Sequence, residues 1–438
     1  MKRSQWGSRL GFILASAGSA VGLGAIWKFP YMAGAQGGAA FILVYLAIAF
    51  TLGLGLMAAE MALGRAGRGG IGETFRGRGG RAWALGGLLA VIAGFLILSF
   101  YSVVGGWTLA YLVATVAGTS LTQDPGSLGA RFESFVADGA RVVTYHAAFM
   151  ALTVLVVGAG VQKGIERLSK WLMPTLFVLM LVLIARALTL PGASAGVDYL
   201  FRPDWSSFST STLLEATGFV FFSLSLGMGA MITYGSYLDG RAPLASSATW
   251  VVFLAVGTAL LGGLMVLPAV FAFGMDPAAG PGLSFITMPA VFAQMPAGEL
   301  FATLFFLSLT VAALTSSVSL LEVVAAAVAE ALGIGHRAAA WMSAAAIFAA
   351  GIPCALSFGA MSSYTVFGLT TFDLFDAISS KLLLPLGGML VAVLAGWVAW
   401  SRVAAQLAPS GAAWLPAARL VIAVIAPLSV LVILLHGL

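Results

Sequence analysis

Charge is what this 438-residue chain has least of: Asp, Glu, Lys and Arg together make up 8% of it. A soluble domain is about a quarter charged. The chain therefore reads as an all-α polytopic membrane protein with little mass outside the bilayer. Cysteine is almost missing, and the single thiol, Cys354, excludes an internal disulfide framework and a multi-thiolate metal site. Histidine is scarce too. His146, His336 and His436 lie too far apart in sequence to suggest a histidine-built metal site. No paired aspartates, histidine cluster or nucleophile motif points to an intramembrane enzyme.

Apolar length is what the chain has instead, with 61% hydrophobic residues and a mean hydropathy of +1.04. A spanning helix needs about 20 apolar residues. Eleven segments qualify: 10–33, 38–63, 84–117, 143–161, 171–190, 212–238, 246–273, 298–332, 337–358, 373–400 and 413–437. Lys2, Arg3, Arg9 and the ASA tripeptide resemble a signal peptide, but the apolar run continues past them and reads as a retained span. With the N-terminus in the cytoplasm, 15 of the 21 Lys and Arg fall on the inner side, from Lys2 to Arg419. Eleven spans then put the C-terminus outside. The net charge of +5 follows membrane topology, so nucleic acid is set aside.

Two spans carry breaks. Span one contains GLGA (Gly22 to Ala25), preceded by Ser19; span six contains GMGA (Gly227 to Ala230), preceded by Ser223 and Ser225. Unwinding a helix in lipid strands N–H and C=O groups, at several kcal/mol each unless they find partners. Glycine makes the unwinding easy. A zwitterionic amino acid supplies both partners: its carboxylate suits freed N–H groups and a half-helix N-terminus, and its ammonium suits freed carbonyls. Sodium also takes carbonyl oxygen. Gly18-x-x-x-Gly22 alone fits a helix-packing seam. Matching breaks five spans apart instead suggest an inverted-repeat transporter, because an odd number of spans per repeat reverses orientation.

The order of motifs, from RSQWGSRLGFILASAGSAVGLG through KFPY, GGAAFILVY, MALGR, GWTLAY, KGIERLSKWLMPTLF, FFSLSLGMGAMITYGSY and ALTSS to FDLFD, resembles the neurotransmitter:sodium symporters of the LeuT fold. The resemblance implies one membrane domain over 1–438. Inverted repeats cover 6–190 (spans 1–5) and 211–400 (spans 6–10), helices one and six are discontinuous, and an eleventh span covers 412–437. It also implies sodium-driven uptake of amino acids by alternating access at a bacterial plasma membrane. Partners are the amino acid and lipid, with the protein a monomer or weak homodimer.

Carried over position by position, the resemblance implies a site. A sodium ion would take Gly18, Val21, Ala312, Thr315 and Ser316. The substrate would lie against Ala20, Gly22, Leu23 and Gly24, with Tyr101 as a further donor, and Gly24 leaves room for a substrate carboxylate. Phe222, Ser223, Ser225, Met228, Ser316 and Leu320, with Val103, would surround the substrate side chain. That apolar, deformable lining suits hydrophobic or aromatic side chains. Lys28 and Asp376 would form an outer gate above a lid of Tyr101 and Phe222. Arg3 and Glu330, with Trp6 and Tyr237, would form the inner gate.

The chain departs from that family at the first sodium site. Ala25 stands where the family has asparagine, and the seventh-span ligand falls on Leu254 or Ala255. The chloride position offers Tyr45, Phe219, Ser223 and Thr258, without a glutamine or carboxylate. One coupled sodium and no chloride requirement follow. Glu60 and Glu322 are expected to be packing and hydrogen-bonding groups, while Lys381 either snorkels or replaces a lost cation. Proton coupling through Glu60, Glu322 or Lys381, or a non-transporting amino-acid sensor, are the alternatives.

Overall fold

The computed structural model describes residues 5–119, 121, 125–240, 242–278, 280, 282–411 and 413–437. Lys2, Arg3 and Arg241 lie outside the described residues. Nine helices there are long and apolar enough to cross a membrane, and the bent pair Arg9–Ala20 and Gly24–Ala35 makes a tenth. Observed ends fall within a few residues of the expected ones for most spans. Examples are Ala39–Gly67, Leu244–Ala272 and Gly298–Leu332. The fifth begins ten residues earlier than expected, at Val161. Its first turns, Val161–Glu166, carry Lys163 and Glu166, whose charges mask the helix in a hydropathy reading. Segment 212–238 is not one helix but two, Thr210–Ser223 and Ala230–Ser236.

Gly298–Leu332 is the most enclosed of the long helices, and Leu415–Leu435 is the least. Composition explains the first. Thr310, Ala312, Ala313, Thr315, Ser316, Ser317 and Ser319 are small and buried, so neighbouring backbones approach closely. Hydroxyls then bridge between helices: Thr310 Oγ1 donates to Thr108 Oγ1 at 3.2 Å, and the Thr153 and Ser317 hydroxyls are hydrogen-bonded at 2.9 Å. This helix supports both broken spans and so positions the site.

Candidate functional site

The first helix ends at Ala20 and resumes at Gly24, bent by 50°. In an unbroken helix the Leu23 N–H would bond the Ser19 carbonyl. It donates instead to the Tyr101 phenolic oxygen at 3.0 Å. The Ser19 carbonyl is not left bare: Ser225 Oγ and Ser316 Oγ both donate to it at 2.9 Å. The break therefore exchanges local bonds for bonds to spans three, six and eight.

The second break covers Leu224 to Gly229, beginning three residues earlier than the glycines suggest. Ser225, Gly227 and Gly229 all have positive φ, at 54°, 81° and 78°. Glycine takes such angles freely; Ser225 does so at a cost, which its hydroxyl bond to Ser19 helps offset. Gly227 is also sterically obligatory, since an added Cβ would run into the Leu384 carbonyl. Its N–H donates to Glu60 Oε1 at 2.8 Å, and Glu60 is fully buried. Glu60 is thus a hydrogen-bonding element, as expected, and its partner is the stranded backbone of span six. Ser19 Oγ completes the stitching, 3.2 Å from Ser225 Oγ and 2.7 Å from Ser319 Oγ.

Between the breaks lies a small cavity of about 30 Å³. Ala20, Gly22, Gly24, Tyr101, Phe222, Ser223, Ser225, Met228, Ser316 and Leu320 line it, ten of the twelve residues expected around substrate. Leu23 does not; it contributes its N–H to Tyr101. Val103 is a correction: it is buried but absent from the lining, and Ile97 takes that role. Helical periodicity gives the reason. Ile97 is four residues from Tyr101 and shares its face, whereas Val103 is two residues away and points elsewhere. Ser19 and Ser319 also line the cavity. Serine on a helix gives little signal in sequence, so neither was singled out as lining.

Four of the five residues expected at sodium converge where span eight meets the first break. Thr315 Oγ1 donates to the Ala312 carbonyl at 3.0 Å, and Ser316 Oγ lies 3.2 Å from the Gly18 carbonyl. Gly18 allows this approach, because a Cβ there would sit 3.1 Å from Thr315 Cβ. Val21 follows directly, with non-helical backbone (φ −89°, ψ 61°). This is an all-oxygen set suited to a hard monovalent cation. On the other side of the break, Ala25 and Ala255 are buried and apolar, and the Leu254 carbonyl is occupied by Thr258 Oγ1 at 2.7 Å. No asparagine occurs anywhere in the sequence to replace them. Ser223 reaches only Tyr45, at 3.4 Å, and the Val220 carbonyl, also at 3.4 Å.

The two ends of the pathway differ. At one end a vestibule of about 570 Å³ is lined by Lys28, Tyr31, Glu215, Phe222 and Lys381 among others. Phe222 lines both vestibule and inner cavity, so its ring is the partition between them. Lys28 and Asp376 form no ion pair among the described residues. The Lys28 ammonium sits 5.0 Å from the Phe222 ring centre, and Asp376 accepts from Ser380 Oγ at 2.8 Å. Lys381 is exposed. At the opposite end Trp6 packs against Phe12, Tyr234 and Tyr237, and its Nε1 donates to the Tyr234 carbonyl at 3.0 Å. Tyr237 donates to buried Glu322 Oε1 at 2.6 Å, and His336 Nε2 lies 2.9 Å from Glu322 Oε2. Glu330 Oε2 accepts from the Gly70 N–H at 2.5 Å, and its expected partner Arg3 lies outside the described residues. The end at Trp6 is packed shut, while the end at Lys28 is open to a vestibule.

Comparison with known proteins agrees with this geometry. The profile of the "Sodium:neurotransmitter symporter family" matches residues 3–123 and 134–438. An uncharacterized sodium-dependent transporter of Bacillus subtilis, YhdH, is 43% identical over 393 residues, covering 90% of this chain and 87% of that one. One from Haemophilus influenzae is 33% identical over 409 residues, covering 91% and 90%. Among solved structures, that of MhsT in complex with L-phenylalanine superposes with a TM-score of 0.92 at 42% identity over 100% of both chains. The fold is therefore that of the LeuT-type transporters, and the chain belongs to the sodium:neurotransmitter symporter family, a sodium-coupled membrane transporter.

Proposed function

We propose that the protein imports hydrophobic or aromatic L-amino acids across a bacterial plasma membrane together with one sodium ion, by alternating access. The observation that carries this reading is the cavity enclosed by the two breaks. It is floored by backbone and serine hydroxyls for the zwitterion, with Ile97, Phe222, Met228 and Leu320 forming an apolar side. The substrate-bound MhsT structure adds support for an amino acid as cargo. In this reading segment 210–236 counts as a span broken at its centre. The total is then eleven, arranged as repeats over 6–190 and 211–400 with the N-terminus inside and the C-terminus outside.

Sodium would be held by the Gly18, Val21 and Ala312 carbonyls and the Thr315 and Ser316 hydroxyls. Ala25, Leu254 and Ala255 offer no side-chain oxygen for a second ion, which supports a stoichiometry of one and no chloride. Lys28 with Asp376, and Arg3 with Glu330, act as outer and inner latches that close alternately. Uptake into proteoliposomes, with a panel of amino acids and separately varied sodium, chloride and pH gradients, tests this. The expected result is sodium-dependent, chloride-independent accumulation with a Hill coefficient near one. A coefficient clearly above one, or uptake driven by a proton gradient without sodium, overturns it.

A further inference from the structure

The last span, Leu415–Leu435, is the least enclosed of the long helices; its C-terminal half packs along span ten, and near Gly396 the two backbones come close. Gly396 makes that approach possible, since a Cβ added there would lie 2.7 Å from Ala423 Cα. Trp397 Nε1 donates to the Ala423 carbonyl at 2.7 Å and closes the floor. From there the helices splay, leaving a groove of about 640 Å³. Trp397, Leu420 and Val424 line it with exposed apolar side chains, and Trp400, Leu415 and Arg419 line it as well.

Arg419 is exposed, and its guanidinium lies 5.5 Å from the Trp400 ring centre. Among the described residues no carboxylate pairs with it and no acceptor takes its N–H groups. A guanidinium stacked through its face keeps its in-plane donors available, in the fork that matches a phosphate. Arg419 is the basic residue among those lining the groove; Arg402 is exposed but does not line it. Tryptophan at an interface and a basic pocket between spanning helices suit a lipid headgroup. Trp397, Leu420 and Val424 lie on membrane-spanning helices with their apolar side chains exposed, which suits an acyl chain and not a soluble partner.

We propose that this groove binds an anionic phospholipid, its phosphate on Arg419 and one acyl chain along Trp397, Leu420 and Val424. Native mass spectrometry of the purified full chain, titrated with phosphatidylglycerol or phosphatidylcholine of the same acyl chains, tests this. Wild-type protein is expected to retain phosphatidylglycerol at about fivefold lower concentration than phosphatidylcholine. Arg419→Gln should erase that preference, while Arg402→Gln, outside the groove, should keep it. Trp400→Leu keeps the apolar wall but removes the platform beneath the guanidinium, and should reduce the preference in part. Equal retention of both lipids by the wild type, an unchanged preference in Arg419→Gln, or an equal loss in Arg402→Gln overturns the proposal. Thermal unfolding in detergent alone, expected to be unchanged by Arg419→Gln, separates lost binding from lost folding.

Discussion

Gly22→Ala tests the site with one methyl group. Gly22 does not have a left-handed φ, so alanine meets no backbone penalty there. The methyl would arrive 2.5 Å from Ser316 Oγ, 3.2 Å from Ser316 Cβ and 2.9 Å from the Tyr101 hydroxyl. Neither neighbour yields cheaply. Ser316 Oγ is held by the Gly18 and Ser19 carbonyls at 3.2 and 2.9 Å, and the Tyr101 oxygen accepts the Leu23 N–H at 3.0 Å. Moving Ser316 to normal contact leaves the Gly18 carbonyl without that donor, at about 1–3 kcal/mol. Overpacking adds about 1–3 kcal/mol. The sum, about 2–6 kcal/mol, corresponds to a loss of thirtyfold or more in affinity. Gly24→Ala is the matched control. Its methyl would lie 2.8 Å from Phe222 Cε1, the edge of a ring that borders the open vestibule and can swing into it. Equilibrium binding of radiolabelled amino acid at saturating sodium should therefore fall at least thirtyfold in Gly22→Ala and only a few-fold in Gly24→Ala. Equal effects, or Gly22→Ala within threefold of wild type, would refute the reasoning.

Other consequences follow from the same geometry. Glu60→Ala strands the Gly227 N–H and should destabilise the protein by about 1–3 kcal/mol in thermal or denaturant unfolding. Glu60→Gln keeps an acceptor and should retain most stability and uptake; complete loss of uptake in the stable Gln variant would point to proton transfer through this carboxyl. Ile97→Ala enlarges the cavity and should shift preference among substrates differing in side-chain size by about 10- to 200-fold, read as ratios of kcat/KM for uptake. Val103→Ala should lower the unfolding midpoint without reordering substrates, and a reordering would return Val103 to the site.

Much of this molecule was legible in its sequence because the bilayer imposes simple rules. A helix must be apolar for about 20 residues to cross, so most spans were placed within a few residues. A break in lipid must be satisfied, so glycine clusters in spans one and six identified the site. Most of the residues around the cavity followed from those breaks and the family motifs. Legibility ended where charge or side-chain direction intervened. The charges on the first turns of span five hide that helix from a hydropathy reading, and nothing in the sequence sets Ile97 apart from the other apolar residues of span three.

The sequence by itself determined the solvent, the order of the apolar segments and the two interruptions, since each depends on residue type and local spacing. Tertiary structure alone decided who satisfies whom. Glu60 takes the Gly227 N–H across 167 residues, Ser316 takes the Ser19 carbonyl across 297, and Lys28 rests on Phe222 instead of pairing with Asp376. The physical reason is reach. A hydrogen bond is decided within about 3 Å, and distances between separate helices are set by how whole faces pack, which no local pattern records.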